Sequence, residues 1–437
     1  VSHAPGDALA QKHSAANWLA WGIILLAAGV AGSGVRTVLV GDAVTSRMAT
    51  VHSLAQDGTW YIDRPANQPQ NPFERITVDK VEVNGRLISS KPPLLTLAMT
   101  GEYLALNRLF GWTLENPLHL KRLLQCMNFS LITMAYAGTL LAFWMAAGLV
   151  VQPLWPRVYL LLALAFGTQM FGFSAQLNNH VPAACMAMTS IYLTLGLGSG
   201  IHAPAGWRFF LFGLSASLVY TLDLPMTIFV APAGLFLLYR FPKQAALWAG
   251  LGAAPVLAVH FGCMMAITGS VLPVQVKGGM YLYESSPWRN PLGIDALNEP
   301  KGIYLFHMTF GRHGVFMLYP VLLAGLAGAV RALNRREMPW RGYILAGLAC
   351  FLTLTTYYVF HTNNYGGEAY GFRWYIGAMP VLLLMGAPVL DTLCSRWKWG
   401  FMLILLAVSM YSAWECFQMP WRANNEWICR LFLGPSG

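Results

Sequence analysis

A chain of 437 residues that is 56% hydrophobic and only 11% charged, with a mean hydropathy of +0.49, carries well under the roughly 25% charged content of soluble domains. That balance excludes an ordinary water-soluble domain and predicts an integral membrane protein. The formal net charge of +10 would suggest nucleic acid in a soluble protein; here it belongs to the loops between apolar segments, and no nucleic-acid partner is expected.

Apolar runs of membrane-spanning length, roughly 17 to 25 residues, fall near 17–40, 122–150, 156–175, 180–198, 207–222, 224–240, 244–268, 314–331, 342–361, 374–391 and 398–416, about eleven in all. The first is too long for a signal-peptide core and lacks a small-residue cleavage site, so it is expected to be a retained span. The stretch after it, VTSRMATVHSLAQDGTWYID, sets Val44, Met48, Val51 and Leu54 at helical spacing with Arg47 and His52 elsewhere on the wheel. This predicts an amphipathic helix along the membrane interface. The run 92–110 is interrupted by Glu102 and Arg108, which predicts a helix lying on or dipping into the membrane surface; a twelfth span is the alternative.

With residues 1–16 cytoplasmic, every short connection that then falls inside carries a cation, from Arg157 and Arg208 to Arg396 and Lys398. The expected orientation is therefore N-terminus in and C-terminus out. Polar residues then collect on the outer side, in segments 41–121, 269–313 and 362–373, with Asn178-Asn179-His180 and Asp223 in short turns. The spans are nearly free of charge at their centres, against the expectation for a transporter, and no span shows the polar stripe of a channel. Cys416 and Cys429 share the outer side, where a disulfide and two free thiols are both open. No Cys/His spacing suggests zinc.

Asp42, beside Gly41 at the outer end of the first span, suits a general base or an ordinary helix N-cap. Lys91, ahead of Pro92-Pro93, suits a phosphate contact or a snorkelling cation at the head of a surface helix. His180 beside Asn178 and Asn179 suits a sugar contact or a helix cap. Asp223 is expected to face a water-filled cavity or to cap the helix that follows.

Taken together, an acid ending the first span, an amphipathic outer segment, Lys91-Pro92-Pro93-Leu94 before an apolar run, and Lys121-Arg122 opening a long span resemble the GT-C superfamily of membrane glycosyltransferases. More narrowly, they resemble bacterial relatives of dolichyl-phosphate-mannose protein mannosyltransferases and of the lipid A aminoarabinose transferase. The turn at 173–180, the stretch 310–316 and the loop from Tyr365 to Arg373 extend the likeness along the chain. The resemblance implies a single all-α polytopic domain over 1–437, in a bacterial inner membrane. It implies inverting transfer of a sugar from a polyprenyl-phosphate donor to a glycan, lipid or protein acceptor at the periplasmic face. As a departure from relatives, only about twenty residues follow the last span, so no separate soluble domain for a protein acceptor is expected. Asp42 would be the general base, and Lys91, Arg373, Arg312 and His313 would hold the donor phosphate. Asn179, His180, Tyr365 and Glu368 would contact sugar or acceptor. Relatives often carry an acidic pair at the first site, where this chain has Asp42-Ala43-Val44. A divalent metal is therefore left open, no other cofactor is expected, and a catalytically silent structural or lipid-binding subunit of a membrane complex is the main alternative. A lipid-linked sugar transporter is the third.

Overall fold

The computed structural model describes residues 5–421 and 427–428; Cys429, and with it the pairing considered for Cys416, lies outside them. The chain runs through α1 (Pro5–Ser33), α2 (Asp42–Asp57), a hairpin of β1 (Lys80–Val83) and β2 (Arg86–Ser89), and α3 (Pro93–Phe110). It continues through α4 (Pro117–Val150), α5 (Leu154–Phe166), α6 (His180–Gly198), α7 (Gly206–Leu222), α8 (Leu224–Arg240) and α9 (Pro242–Thr268). The last elements are α10 (Lys301–Thr309), α11 (Pro320–Asn334), α12 (Arg341–His361), α13 (Arg373–Leu390) and α14 (Arg396–Gln418).

Among the described residues seven helices, α1, α4, α6, α9, α12, α13 and α14, are long and apolar enough to cross a membrane. Their solvent follows from their burial. Only 17% of the apolar window of α9 and 39% of that of α14 is buried within the molecule, so most of each helix turns apolar side chains outward. Such a surface is unfavourable in water and at home in hydrocarbon, where a helix also satisfies its own backbone. The protein is an all-α membrane protein.

The other expected spans are shorter helices, and the sequence shows why. The segment 156–175 breaks at Gly167, after which Gln169–Gly172 forms a separate turn. The segment 224–240 opens with Pro225 and holds Pro232 inside its helix. Pro320 likewise interrupts 314–331, while α7 has 17 residues. The long run 122–150 is continuous to Val150, and Asn116 starts its helix by accepting from the Leu118 and His119 amides. A π-helical stretch at Asn128–Thr133 lets Asn128 Nδ2 reach the Arg36 carbonyl at 2.9 Å, tying α4 to the end of α1.

Close contact between helices rests on small residues. A methyl group on Gly213 of α7 would lie 1.9 Å from the Ala249 carbonyl oxygen, and one on Gly325 of α11 would lie 2.2 Å from that of Leu382 in α13. Backbones this close leave room for hydrogen only, as at small-residue crossings in membranes.

Two features outside the long apolar helices differ from expectation. The amphipathic helix predicted after Asp42 forms as α2, but Val44 through Ser53 are all buried, including Arg47 and His52 at 1% and 2% exposure. It is covered on all sides rather than laid on an interface, because the following chain wraps it. Asn71 Nδ2 donates to the Ala49 carbonyl at 2.8 Å, and Ser46 Oγ to that of Asp79 at 2.6 Å. The second feature is the hairpin itself. Asn84 and Gly85 both take positive φ, 52° and 73°, which is the two-residue turn that Asn-Gly favours. Val81, Val83 and Ile88 then pack on Met264 of α9 and on Val274.

Gly325→Leu is expected to destabilise by about 1–3 kcal/mol through overpacking, lowering the thermal unfolding temperature in detergent. Gly101→Ala in α3, where nothing lies within 4 Å of the new methyl, is expected to raise stability by about 0.5–1 kcal/mol. Equal melting of both variants would contradict the packing described.

Candidate functional site

A cavity of about 320 Å³ opens where the C-terminal ends of α7, α9 and α12 meet the N-terminal ends of α6, α8 and α13. Alternation of chain direction brings these ends together, and α2 and the segment after β2 close the rim. Lys91, Asn179, His180 and Arg373 all line the cavity, with Arg47 and Asp223. Residues separated by most of the chain thus share one space.

The hairpin delivers Lys91. In its register Lys80 faces Ser89, so the residues just beyond the strands, Asp79 and Ser90, also face one another, and the Ser90 amide donates to the Asp79 carbonyl at 3.1 Å. The Lys91 ammonium follows directly and meets Asp79 Oδ2 at 2.7 Å. Pro92 caps α3 and Pro93 begins it, where a missing N–H leaves nothing unsatisfied. The cation is therefore held between a strand pair and a rigid helix start.

Arg47 comes from α2 and is sealed in. Its guanidinium reaches the Ala43 carbonyl and Asn179 Oδ1, each at 3.2 Å, and its Nε has no partner among the described residues. Arg373 rests over the Trp421 ring, 4.8 Å from the centroid, and its Nε also lacks a described partner. Among the described residues neither arginine has a carboxylate within ion-pair distance, whereas Lys91 does. Burial pushes the Lys91 ammonium below the ordinary lysine value, opposed by Asp79 and reinforced by Arg47 and Arg373. Burial likewise brings Arg47 down to about 10, against Asp79 and Asp223 and with Arg373.

In the same cavity His180 Nδ1 and Asp223 Oδ2 are 2.6 Å apart, both side chains being less than one-tenth exposed. Asp223 stands at the N-cap position of the helix after it and its carbonyl accepts the Met226 amide at 2.9 Å, but its side chain makes no cap hydrogen bond; it holds the histidine. Tyr220, His260, Tyr358 and Trp374 make the rest of the wall largely aromatic, with Tyr358 and Trp374 stacked at 5.1 Å.

Asp42 is not among the described lining residues, although its neighbour Ala43 is. Its side chain is exposed and accepts the Val78 amide at 2.9 Å, while its carbonyl accepts Thr77 Oγ1 at 3.0 Å. It remains within electrostatic reach of Arg373. Arg312, His313, Tyr365 and Glu368 also lie off the described lining. Arg312 pairs with Glu299 at 3.0 Å, Tyr365 donates its hydroxyl to the same carboxylate, and the His313 ring lies 4.6 Å from that of Tyr365. These three fasten the loop before α11 to the loop before α13, and Glu368 is exposed.

Sequence reasoning missed Arg47 and Asp79 as site residues, and it missed the strands. Asn84-Gly85 between Lys80-Val81-Glu82-Val83 and Arg86-Leu87-Ile88-Ser89 is the signal that would have found the hairpin, and the hairpin register pairs Asp79 with Lys91. Arg47 gave no local signal, because its burial is made by segments distant in sequence.

Among the described residues no group of three His, Cys, Asp or Glu side chains is placed to hold a metal ion. A cavity with a lysine and two guanidiniums that have no carboxylate in direct contact among the described residues suits a phosphate. Inorganic phosphate, followed by its shift of the thermal unfolding temperature, is expected to bind at neutral pH. Binding should weaken as rising pH discharges Lys91, at a lower pH than the roughly 10.4 of an ordinary lysine. Lys91→Arg should carry binding to higher pH; identical profiles would remove Lys91 from the anion site. No protein-family model and no curated protein sequence matches this chain.

Proposed function

We propose that the protein is an integral membrane glycosyltransferase of GT-C type, moving a sugar from a polyprenyl-phosphate donor to an acceptor at one membrane face. The observation that carries this reading is Arg47, a guanidinium at 1% exposure on a cavity wall with only neutral hydrogen-bond acceptors. A buried cation without a counter-charge is costly unless an anion joins it. Lys91 and Arg373 on the same wall give that anion three cationic partners. The phosphate would be a lipid's because the cavity lies at the ends of apolar helices, and its aromatic side suits a sugar or the first prenyl units.

The finer parts of the proposal follow from charge and composition. Counting α5, α7, α8 and α11 beside the seven long helices would make a bundle of about eleven crossings. The basic connections support a cytoplasmic N-terminus, and with the family resemblance they support a bacterial inner membrane with the cavity on its periplasmic side. The acceptor would enter from the water side; whether it is a glycan, a lipid or a protein is left open.

The position of Asp42 favours a second reading. With its carboxylate engaged by the Val78 amide and off the described cavity lining, the acid expected to take the proton is not in place, as in a catalytically silent subunit that only binds a lipid phosphate. Both readings require lipid-phosphate binding, and the transferase reading alone requires turnover.

The purified full chain in nanodiscs is expected to bind undecaprenyl phosphate, and Lys91→Ala and Arg373→Ala should each weaken binding about tenfold or more, the loss of one charge-assisted contact. Incubation with a panel of polyprenyl-phosphate hexoses and pentoses should release polyprenyl phosphate in an acceptor-dependent way. Binding without release would leave the silent subunit, and absence of binding would sink both readings.

A further inference from the structure

We infer that His180, held by Asp223, is the group that takes the acceptor's proton in the transfer proposed above, on which this inference rests. A general base needs an unprotonated atom facing the reacting groups, a partner that fixes its tautomer, and proximity to whatever holds the leaving group. The pair has all three. Asp223 Oδ2 lies 2.6 Å from His180 Nδ1; the carboxylate accepts an N–H there, which leaves the lone pair on Nε2. Both residues line the cavity that Lys91, Arg47 and Arg373 also line, and no described side chain is bonded to Nε2. The ring is held from its own turn as well: His180 is the first residue of α6, and Asn178 Oδ1 fixes that turn by accepting the Val181 amide at 2.9 Å. Asn179, between them, hands its side-chain oxygen to Arg47. One turn therefore links the base to the phosphate-holding cations.

The step balances without any further reactant. The acceptor O–H gives its proton to His180 Nε2, and the oxygen pair forms a bond to the anomeric carbon. The bond from that carbon to the phosphate oxygen breaks with its electron pair, and the resulting lipid phosphate stays against Lys91, Arg47 and Arg373. Asp223 is a positioning residue: it stabilises the imidazolium and does not touch the sugar. The charged or titratable groups that line the cavity with the ring are Asp223 from the α7–α8 junction, Tyr220 from α7, Arg47 from α2, Lys91 before α3, His260 from α9, Tyr357 and Tyr358 from α12, and Arg373 from α13.

His180→Gln in the full chain is expected to keep undecaprenyl phosphate affinity within about threefold while acceptor-dependent release falls by roughly 10²–10⁴-fold, the usual share of a general base. Asp223→Asn should lower the rate, and Asp223→Glu, which returns a carboxylate to the ring, should recover part of it. Diethyl pyrocarbonate, read by peptide mass spectrometry, should carbethoxylate His180 in the wild type, and undecaprenyl phosphate should slow that reaction. Transfer by His180→Gln at the wild-type rate would overturn the inference and leave the transferase reading standing. Binding without transfer by the wild type overturns the transferase reading and this step with it. Failure of the lipid phosphate to protect His180, while it still binds, removes the ring from the site whatever the turnover.

Discussion

The molecule is governed by where polar groups are allowed to sit. Helices such as α9 and α14 turn most of their apolar surface outward, so the surroundings that stabilise them cannot solvate charge. Polar side chains are thereby driven to the helix ends or into contact with one another. Antiparallel neighbours place the ends of α6, α7, α8, α9, α12 and α13 together, and polarity exiled from many helices gathers in one space. The cavity is a consequence of that sorting before it is a site.

Within that space the charges divide unevenly. Asp79 is occupied by Lys91 and Asp223 by His180. Each acid has one direct partner, while Arg47 and Arg373 feel Asp79 and Asp223 only at longer range and have no carboxylate within ion-pair distance among the described residues. The surplus is positive, and it sits on side chains whose shape accepts two oxygens at once. An arrangement made only for stability would neutralise these cations or replace them with apolar groups of similar size, since buried unpaired charge is destabilising. Retaining them is the physical argument for an anionic ligand.

The membrane class and helix positions were legible because periodic apolar runs act locally: α6 begins and ends where its run does, at 180 and 198. Lengths were less legible, since Pro320 and Gly167 divide segments that composition alone reads as continuous. Lys91, Arg373, Asn179 and His180 could be singled out because each stands at an outer segment's edge beside a run. Arg47 could not. Its helical position looks like the polar face of a surface helix, and only the wrapping by residues 71–79 and the approach of Asn179 make it interior. Arg312 and Tyr365 erred the other way: they look available in sequence, but Glu299 takes both.

The hairpin joins these observations. A strand pair of four residues a side is marginal alone, yet this one is pinned by Val81, Val83 and Ile88 on the end of α9 and by Ser46 of α2. Its register determines what its open end presents. A slip of one residue would turn Val81 and Val83 away from Met264 and send Asp79 from Lys91. The same apolar contacts that hold the strands therefore set the ion pair at the cavity rim, and Pro92-Pro93 carries that alignment into α3 without a flexible link. In the same cavity His180 and Asp223 are fixed by helix ends that cannot move without the bundle. A cation held by one rigid element thus shares a space with an imidazole held by another, the division of roles that group transfer between two bound molecules would require.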